Sequence, residues 1–274
     1  MFGSTGFLGN YVVDLLGKSG SQVIVPYRCP EEQYMHLKLM GDLGQIVPLE
    51  FSLKSVEGTY DSDANLRKLV SKSNVVINLL GRDYETRNYS FHDIHSRAAQ
   101  RIAEACAEEG VGQLIHLSVN GADVNSPSAF LRSKAEGEEA VRSAFPSATI
   151  VRPTRLFGAE DRFLRSIAVM IKKAPLVPIV DGGEAMIQPV DARDVALAIL
   201  EMLKVENESE GKIYELGGST TYKLHELVKL VYETIREPES SFPVPLSIMK
   251  VLGLPREVLL NVLPLPILSP SLFT

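Results

Sequence analysis

Cysteine is scarce. Cys29 and Cys106 are the two in 274 residues, far apart and outside any C-x-x-C spacing, which excludes a disulfide framework or a zinc ribbon and leaves two buried reduced thiols as the expectation. An excess of basic residues is missing too. With 28 Lys and Arg against 34 Asp and Glu, a formal charge of −6 and a pI near 5.5, the chain lacks the positive footprint that a polyphosphate backbone requires, so no nucleic-acid partner is expected. His36, His92, His95, His116 and His225 are too scattered for a metal set. His92 and His95, three apart on one expected helix, read as solvated helix-face residues.

No uninterrupted apolar run approaches the roughly 20 residues that span a bilayer as a helix. The nearest approach is the end of the chain, where Pro238 to Thr274 holds seven of the 16 prolines and only four charged residues, Glu239, Lys250, Arg256 and Glu257. Pro243, Pro245, Pro255, Pro264 and Pro266 break it repeatedly. Such a greasy tail needs a surface to lie on, whether its own domain, another protein or a membrane interface. At the other end, Met1-Phe2-Gly3 leaves no room for a readable targeting segment.

What the sequence does contain is alternation. Strand-length apolar runs at Gln22 to Pro26, Ile46 to Phe51, Asn74 to Leu80, Gln113 to Ser118 and Ala148 to Val151 alternate with helical segments at Phe7 to Lys18, Pro30 to Leu39, Asp63 to Ser71, Phe91 to Glu109 and Phe130 to Ala144. That is the pattern of a doubly wound parallel α/β sheet covered on both faces. Beyond it the sequence predicts helices at Asp161 to Lys173, Val195 to Val205 and Lys223 to Ile235, and strands at Ile187 to Val190 and Ile213 to Leu216. The expected organisation is a dinucleotide domain over residues 1–151, a smaller interleaved lobe over 152–236, and a Pro-rich tail over 237–274 for partner or membrane-surface contact.

Gly3-Ser4-Thr5-Gly6-Phe7-Leu8-Gly9 runs directly into the first helix. Glycines at this spacing let the chain turn tightly, approach a pyrophosphate and pack helix on strand, while the helix N-terminus supplies N–H donors to the phosphates. The next strand ends in Tyr27-Arg28, about 20 residues on, where a site selective for NAD carries an acid for the ribose 2′-hydroxyl. A guanidinium there pairs instead with a 2′-phosphate, so Arg28 favours NADP(H); the competing reading is a surface arginine ending a strand.

These residues resemble the extended or atypical short-chain dehydrogenase/reductases. The resemblance covers about the first 220 residues: the glycine loop, Val76-Ile77-Asn78-Leu79-Leu80-Gly81, Arg152-Pro153-Thr154-Arg155-Leu156-Phe157-Gly158 and Gln188-Pro189-Val190-Asp191-Ala192-Arg193-Asp194-Val195-Ala196. More narrowly, Val25-Pro26-Tyr27-Arg28-Cys29, Phe130 to Glu138 and Gly158 to Leu164 are similar to the family of NADPH-binding accessory subunits of mitochondrial respiratory complex I. The resemblance implies cofactor contacts from Gly3, Ser4, Thr5, Gly6, Phe7, Leu8, Gly9, Arg28, Leu53, Leu80, Gly81, Ser118, Lys134 and Pro153. It also implies other complex I subunits as partners and a place on the matrix side of the mitochondrial inner membrane.

In the wider family a Y-x-x-x-K pair transfers the proton, with the lysine lowering the tyrosine pKa and holding the nicotinamide ribose. Lys134 matches the lysine, but Phe130 stands at the tyrosine position and has no proton to give. Ser118 is the nearest match to the family serine, either as a cofactor contact or as a hydroxyl satisfied at a strand end. The expected function is therefore a non-catalytic subunit holding NADPH as a structural or sensory ligand. Two alternatives stay open: an active NADP-dependent reductase or epimerase using Tyr84, Tyr89 or a water on Asn120, and a regulator of the same fold with an empty pocket. Because a glycine loop needs a strand before it and only Met1-Phe2 precede Gly3, the sequence is expected to be a shortened version of a longer protein, with its other end, near Pro266 to Pro270, cut as well.

Overall fold

The computed structural model describes residues 1–52, 61–86, 89–174, 176–204 and 208–245. The chain divides into two units: residues 1–82, 91–153 and 192–216 form the first, and 83–90, 154–191 and 217–274 the second.

The first unit opens with Phe2, paired in parallel with Asn78, and α1 (Phe7–Lys18). It continues with β1 (Val23–Tyr27), β2 (Ile46–Glu50), α2 (Asp61–Val70), β3 (Val75–Asn78), α3 (Ala98–Glu108), β4 (Gln113–Leu117), α4 (Ala129–Ala144) and β5 (Thr149–Pro153). The chain then passes to the second unit for β6 (Leu156–Phe157), α5 (Phe163–Lys173), β7 (Val177–Val180), β8 (Met186–Ile187) and β9 (Val190–Asp191). It returns for α6 (Ala192–Met202) and β10 (Ile213–Leu216), and ends in the second unit with β11 (Tyr222–Lys223), α7 (Leu224–Ile235) and β12 (Ser241–Val244). Residues 192–216 thus lie in the first unit, within the span expected to form the small lobe.

All strand pairs of the first unit are parallel. The order β10-β5-β4-β3 forms one sheet and β1-β2 another, and Met1-Phe2 lies between them. The Phe2 N–H donates to Ile77 O at 2.8 Å and Leu79 N–H to Phe2 O at 3.0 Å, while Met1 N donates to Ile24 O at 2.7 Å. The strands are runs of β-branched and apolar residues because parallel strands are covered on both faces. On one side α2 and α3 bury Leu66, Val70, Ile102 and Cys106 against Val76, Leu114 and Ile150; α3 does so because Ala98, Ala99, Ile102, Ala103 and Cys106 recur every three or four residues. α1 packs on α6.

Three local expectations are corrected. Residues 30–39 form two 3₁₀ pieces, Glu31–Gln33 and Met35–Met40, because Tyr34, Leu37 and Met40 turn inward at a strict spacing of three, the period of that helix. Tyr34 stacks on Tyr27 with ring centroids 3.9 Å apart. The helix expected from Phe91 begins as a π-helical turn, His92–Arg97, before α3. The strand expected at Ile187 to Val190 is two short strands on either side of Gln188-Pro189. The helix expected to reach Val205 is described to Met202; residues 205–207 lie outside the described part.

In the second unit α5 and α7 pack Ile167, Ile171, Val228, Val231 and Tyr232 around Val177 and Ile179 of β7. β7 pairs in parallel with β12, so residues 241–244 of the expected tail form a strand within this unit; residues 246–274 lie outside the described part. No helix among the described residues is long and apolar enough to cross a membrane.

Where α4 meets the π turn the backbones nearly touch, because a Cβ on Gly137 would fall 2.0 Å from His95 O. Gly137→Ala should therefore lower the unfolding free energy by about 2–3 kcal/mol, read from the denaturation midpoint. A change under about 0.5 kcal/mol, the size of an ordinary surface substitution, would contradict that packing.

Candidate functional site

Parallel strands end on one edge of their sheet, and that edge gathers the expected cofactor residues of the first unit. Gly3 follows Phe2, Arg28 follows β1, Leu80 and Gly81 follow β3, Ser118 follows β4, and Pro153 ends β5. Leu53 lies outside the described residues. This is the edge on which an open α/β sheet binds its ligand.

The glycine loop is built for backbone rather than side-chain contact. Gly3 has φ +78°, and a Cβ there would meet Leu79 backbone atoms at 2.8 Å, so only glycine brings the loop this close to β3. Ser4 is fully buried with its hydroxyl 3.4 Å from Met1 O. Leu8 and Gly9 are buried in the helix start, whereas Thr5 and Gly6 are exposed and Phe7 is half-buried beside Tyr11. The N-terminus of α1 carries neither a side-chain cap nor an acidic residue in its first turn, which leaves its N–H groups and dipole to an anion. Arg28 is exposed and Cys29, expected buried, is only half-buried.

Behind the edge sits a polar cluster centred on Lys134. Lys134 is 5% exposed and its ammonium donates to Leu117 O at 3.2 Å; a Cβ on Gly81 would lie 3.2 Å from Lys134 Nζ and 3.9 Å from His95 Nε2. His95, expected on a solvated face, is instead buried at 1% exposure, because the π turn rotates it inward between Phe91 and Phe130. His92 remains exposed. Arg82 N–H donates to His95 Nε2 at 3.1 Å, so the ring carries its proton on Nδ1, which donates to Ser133 Oγ at 2.8 Å. Ser133 in turn donates to Phe130 O at 2.8 Å. On β3 and β4, Asn78 Oδ1 accepts the Leu80 N–H and its Nδ2 donates to His116 Nδ1 at 3.1 Å. That leaves His116 Nε2–H buried without a partner, and Ser118 Oγ is in the same state. Of the two readings of the Ser118 hydroxyl, satisfaction at its strand end is not what the structure shows, and an unsatisfied buried hydroxyl is the condition of a group that awaits a ligand or water.

The sequence model of the NAD dependent epimerase/dehydratase family matches residues 1–217. The chain belongs to that family. It is 45% identical over 274 residues, its whole length, to the mitochondrial NADH dehydrogenase [ubiquinone] 1 alpha subcomplex subunit 9 of Arabidopsis thaliana, covering 66% of that protein. The subunit of the same name from Mus musculus is 44% identical over 92% of this chain and 65% of its own. The chain spans about two thirds of the length of these relatives. A solved dTDP-glucose 4,6-dehydratase from Streptomyces venezuelae, with NAD and TYD bound, superposes with a TM-score of 0.71 at 16% identity, over 89% of this chain and 83% of that one. A UDP-glucuronic acid 4-epimerase from Bacillus cereus gives 0.71 at 15%, over 89% and 85%; both show the same fold.

Against the family's tyrosine–lysine pair, the cluster holds the lysine and has Phe130 where the tyrosine would stand. Phe130 packs edge-on against His95 at 5.4 Å and Phe91 at 5.8 Å. His95 cannot replace the tyrosine, because both its nitrogens are engaged and burial, with the nearby Lys134 ammonium second, pushes its pKa down to about 3. His116 is likewise held near 3 by burial first and Lys134 second. Burial lowers Lys134 itself to about 8, against the opposing pull of Glu138. Tyr84 and Tyr89 belong to the second unit, in a segment closed by backbone bonds between Thr86 and Tyr89. Sequence reasoning missed His95, His116, Asn78 and Ser133; the signal available was His116 inside an apolar strand run, which alternation places on a covered face.

The two histidines give the acid limb of stability a sign. Their folded pKa values, about 3, lie below the ordinary 6.5, so the unfolded chain takes up two protons that the fold refuses. Their contribution is complete above about pH 6.5 and is lost as the pH falls toward 3. At about pH 5 the loss should reach about 2 kcal/mol per histidine relative to neutral pH, measured by urea unfolding, and His116→Gln should remove about half of the slope. Equal slopes in the two proteins would contradict neutral burial of His116.

Proposed function

We propose that this chain is an NADP(H)-binding accessory subunit of mitochondrial complex I, whose first unit holds the dinucleotide as a structural or sensory ligand without reducing a substrate. The observation that carries the reading is the pairing of a retained Lys134 with Phe130, a binding cluster that lacks its proton donor. Similarity to the alpha subcomplex subunit 9 of plant and mouse supports the setting, which implies other complex I subunits as partners and the matrix side of the inner membrane as location. The Pro-rich residues 237–274 are the segment whose composition suits contact with a partner or a membrane surface.

In this reading the α1 N-terminus and the Gly3 loop take the pyrophosphate, Arg28 takes the 2′-phosphate, and Lys134 and the unpaired Ser118 hydroxyl take the nicotinamide ribose. NADPH when bound supplies a hydride donor. The chain's own groups bind and orient it, and the tyrosine hydroxyl that hands the family's proton to a carbonyl oxygen is replaced by the phenyl ring of Phe130. The bound ligand stabilises the unit by mass action, since only the folded loop presents the phosphate site.

Acid quench of the protein purified from its source should release about one equivalent of NADPH, and none at stoichiometric level would sink the cofactor reading. Arg28→Ala should weaken NADPH binding about tenfold or more and leave NADH binding unchanged, because it removes one charge-assisted pair at an exposed position. An equal loss for both nucleotides would show that Arg28 does not read the 2′-phosphate. On a non-denaturing gel of solubilised mitochondria the native protein should migrate with a large assembly; migration only as a small free species would defeat the subunit reading.

A further inference from the structure

Lys134 is a buried ammonium, and something must balance its charge. Among the described residues no carboxylate lies within ion-pair distance of it. One helical turn on, Glu138 shares its face of α4 and is equally buried, at 5% exposure. Glu138 is gripped by Arg152 of β5, with Nε to Oε1 at 3.0 Å and Nη2 to Oε2 at 2.7 Å. Arg152 also reaches Glu215 on β10 at 3.3 Å, its cross-strand partner in the parallel register. The titratable and charged groups around the ammonium are thus His95 from the π turn, His116 from β4 and Glu138 on its own helix, with Arg152 and Glu215 behind; the two histidines are neutral.

We propose that Glu138 is a positioning residue: its carboxylate balances the buried Lys134 ammonium, and Arg152 and Glu215 set how much of that carboxylate's field Lys134 receives. The ion chain ties the cofactor edge of the first unit to β5 and β10, at the far margin of its sheet. Removing either member therefore moves Lys134 in a specific direction. Without the Glu138 carboxylate the ammonium faces the positive Arg152 alone and becomes harder to protonate. Without the Arg152 guanidinium the whole Glu138 charge acts on Lys134, which becomes easier to protonate. A site that merely loosened would let water in and move Lys134 toward its ordinary value near 10.5 in both variants.

The test is a titration of the Lys134 side chain in the full chain labelled with carbon-13 at lysine Cε, followed by NMR and assigned by loss of the signal in Lys134→Arg. Relative to the wild type, Glu138→Gln should lower the midpoint by about one unit and Arg152→Gln should raise it. No movement, or upward movement in both, overturns the proposal. Should Glu138→Gln fail to fold, Glu138→Asp, which withdraws the carboxylate by one methylene, should lower the midpoint by a smaller step, and an unchanged midpoint there overturns it equally.

The consequence for binding rests on the NADP(H) reading. NADPH affinity, followed by nicotinamide fluorescence, should be flat up to the Lys134 midpoint and fall above it, with the fall beginning at lower pH in Glu138→Gln. Failure of the wild type to bind NADPH at any pH defeats the cofactor reading, and the lysine titration still decides the role of Glu138. Binding by the wild type with the same pH profile in Glu138→Gln defeats the positioning role alone.

Discussion

Two backbone hydrogen bonds hold the first unit together at its centre. Phe2 donates to Ile77 O and accepts from Leu79 N–H, and through this single paired residue the glycine loop is fastened to β3. On the other side Met1 N donates to Ile24 O of β1, so the segment that carries the glycine loop runs between β3 and β1. Phe2 itself is 3% exposed and packs edge-on against Phe51, 5.9 Å between centroids, which adds apolar burial to the pairing. Because every neighbouring strand runs parallel to this segment, the loop, Arg28, Gly81 and Ser118 all emerge on one edge. The site is a consequence of strand direction before it is a matter of side chains.

Behind that edge the chemistry is set by burial. An ammonium, two imidazoles, an amide and two hydroxyls are withdrawn from water, and in that environment the charged forms are disfavoured unless partnered. The imidazoles respond by staying neutral; one is fully committed to a chain running from Arg82 N–H to Phe130 O, and the other keeps one unpaired N–H. Lys134 keeps a single backbone acceptor and the distant balance of Glu138. Such a cluster is costly when empty and gains hydrogen bonds when a polar ligand enters, which is the thermodynamic profile of a binding site. Proton transfer requires a group whose protonation changes near the working pH and whose donor faces the ligand. Phe130 has neither property and His95 has spent both nitrogens, so the tyrosine's part has no direct replacement, and Lys134, lowered to about 8 by burial, is the member of the cluster that still titrates near neutral pH.

Much of this was legible in the sequence, for reasons that differ by element. α1 was readable because a glycine loop precedes it and Lys18-Ser19-Gly20 closes it, and β10 because Ile213, Tyr214 and Leu216 make a strand-length stretch between turn residues. The turn around Tyr34 was misread as an α-helix although its inward residues recur every three, which favours 3₁₀ geometry. The π turn at His92 to Arg97 left no periodic trace, since Ile94 and Ala98 suit an α-helix equally well; the rotation that buries His95 comes from α4 pressing Gly137 against it. β7 and β12 lie outside the strands that the sequence predicts; each is four residues long with an internal proline, Pro178 and Pro243. Prolines are tolerated there because, among the described residues, each strand pairs with one neighbour and leaves its other edge open. Lys134 and Phe130 were legible through the resemblance to a family whose Y-x-x-x-K pair they match in position, but the roles of Glu138 and Arg152 depend on a helix and two strands meeting, which no local pattern encodes.

The central claim is that binding and catalysis are separated in the first unit. The direct measurement follows the near-ultraviolet absorbance of NADPH bound to the wild-type protein, in the presence of a panel of aldehydes, ketones and nucleotide-sugar substrates. The reduced nicotinamide should persist for hours with every compound. Steady oxidation that stops in Lys134→Ala would contradict the account and return the chain to the reductases.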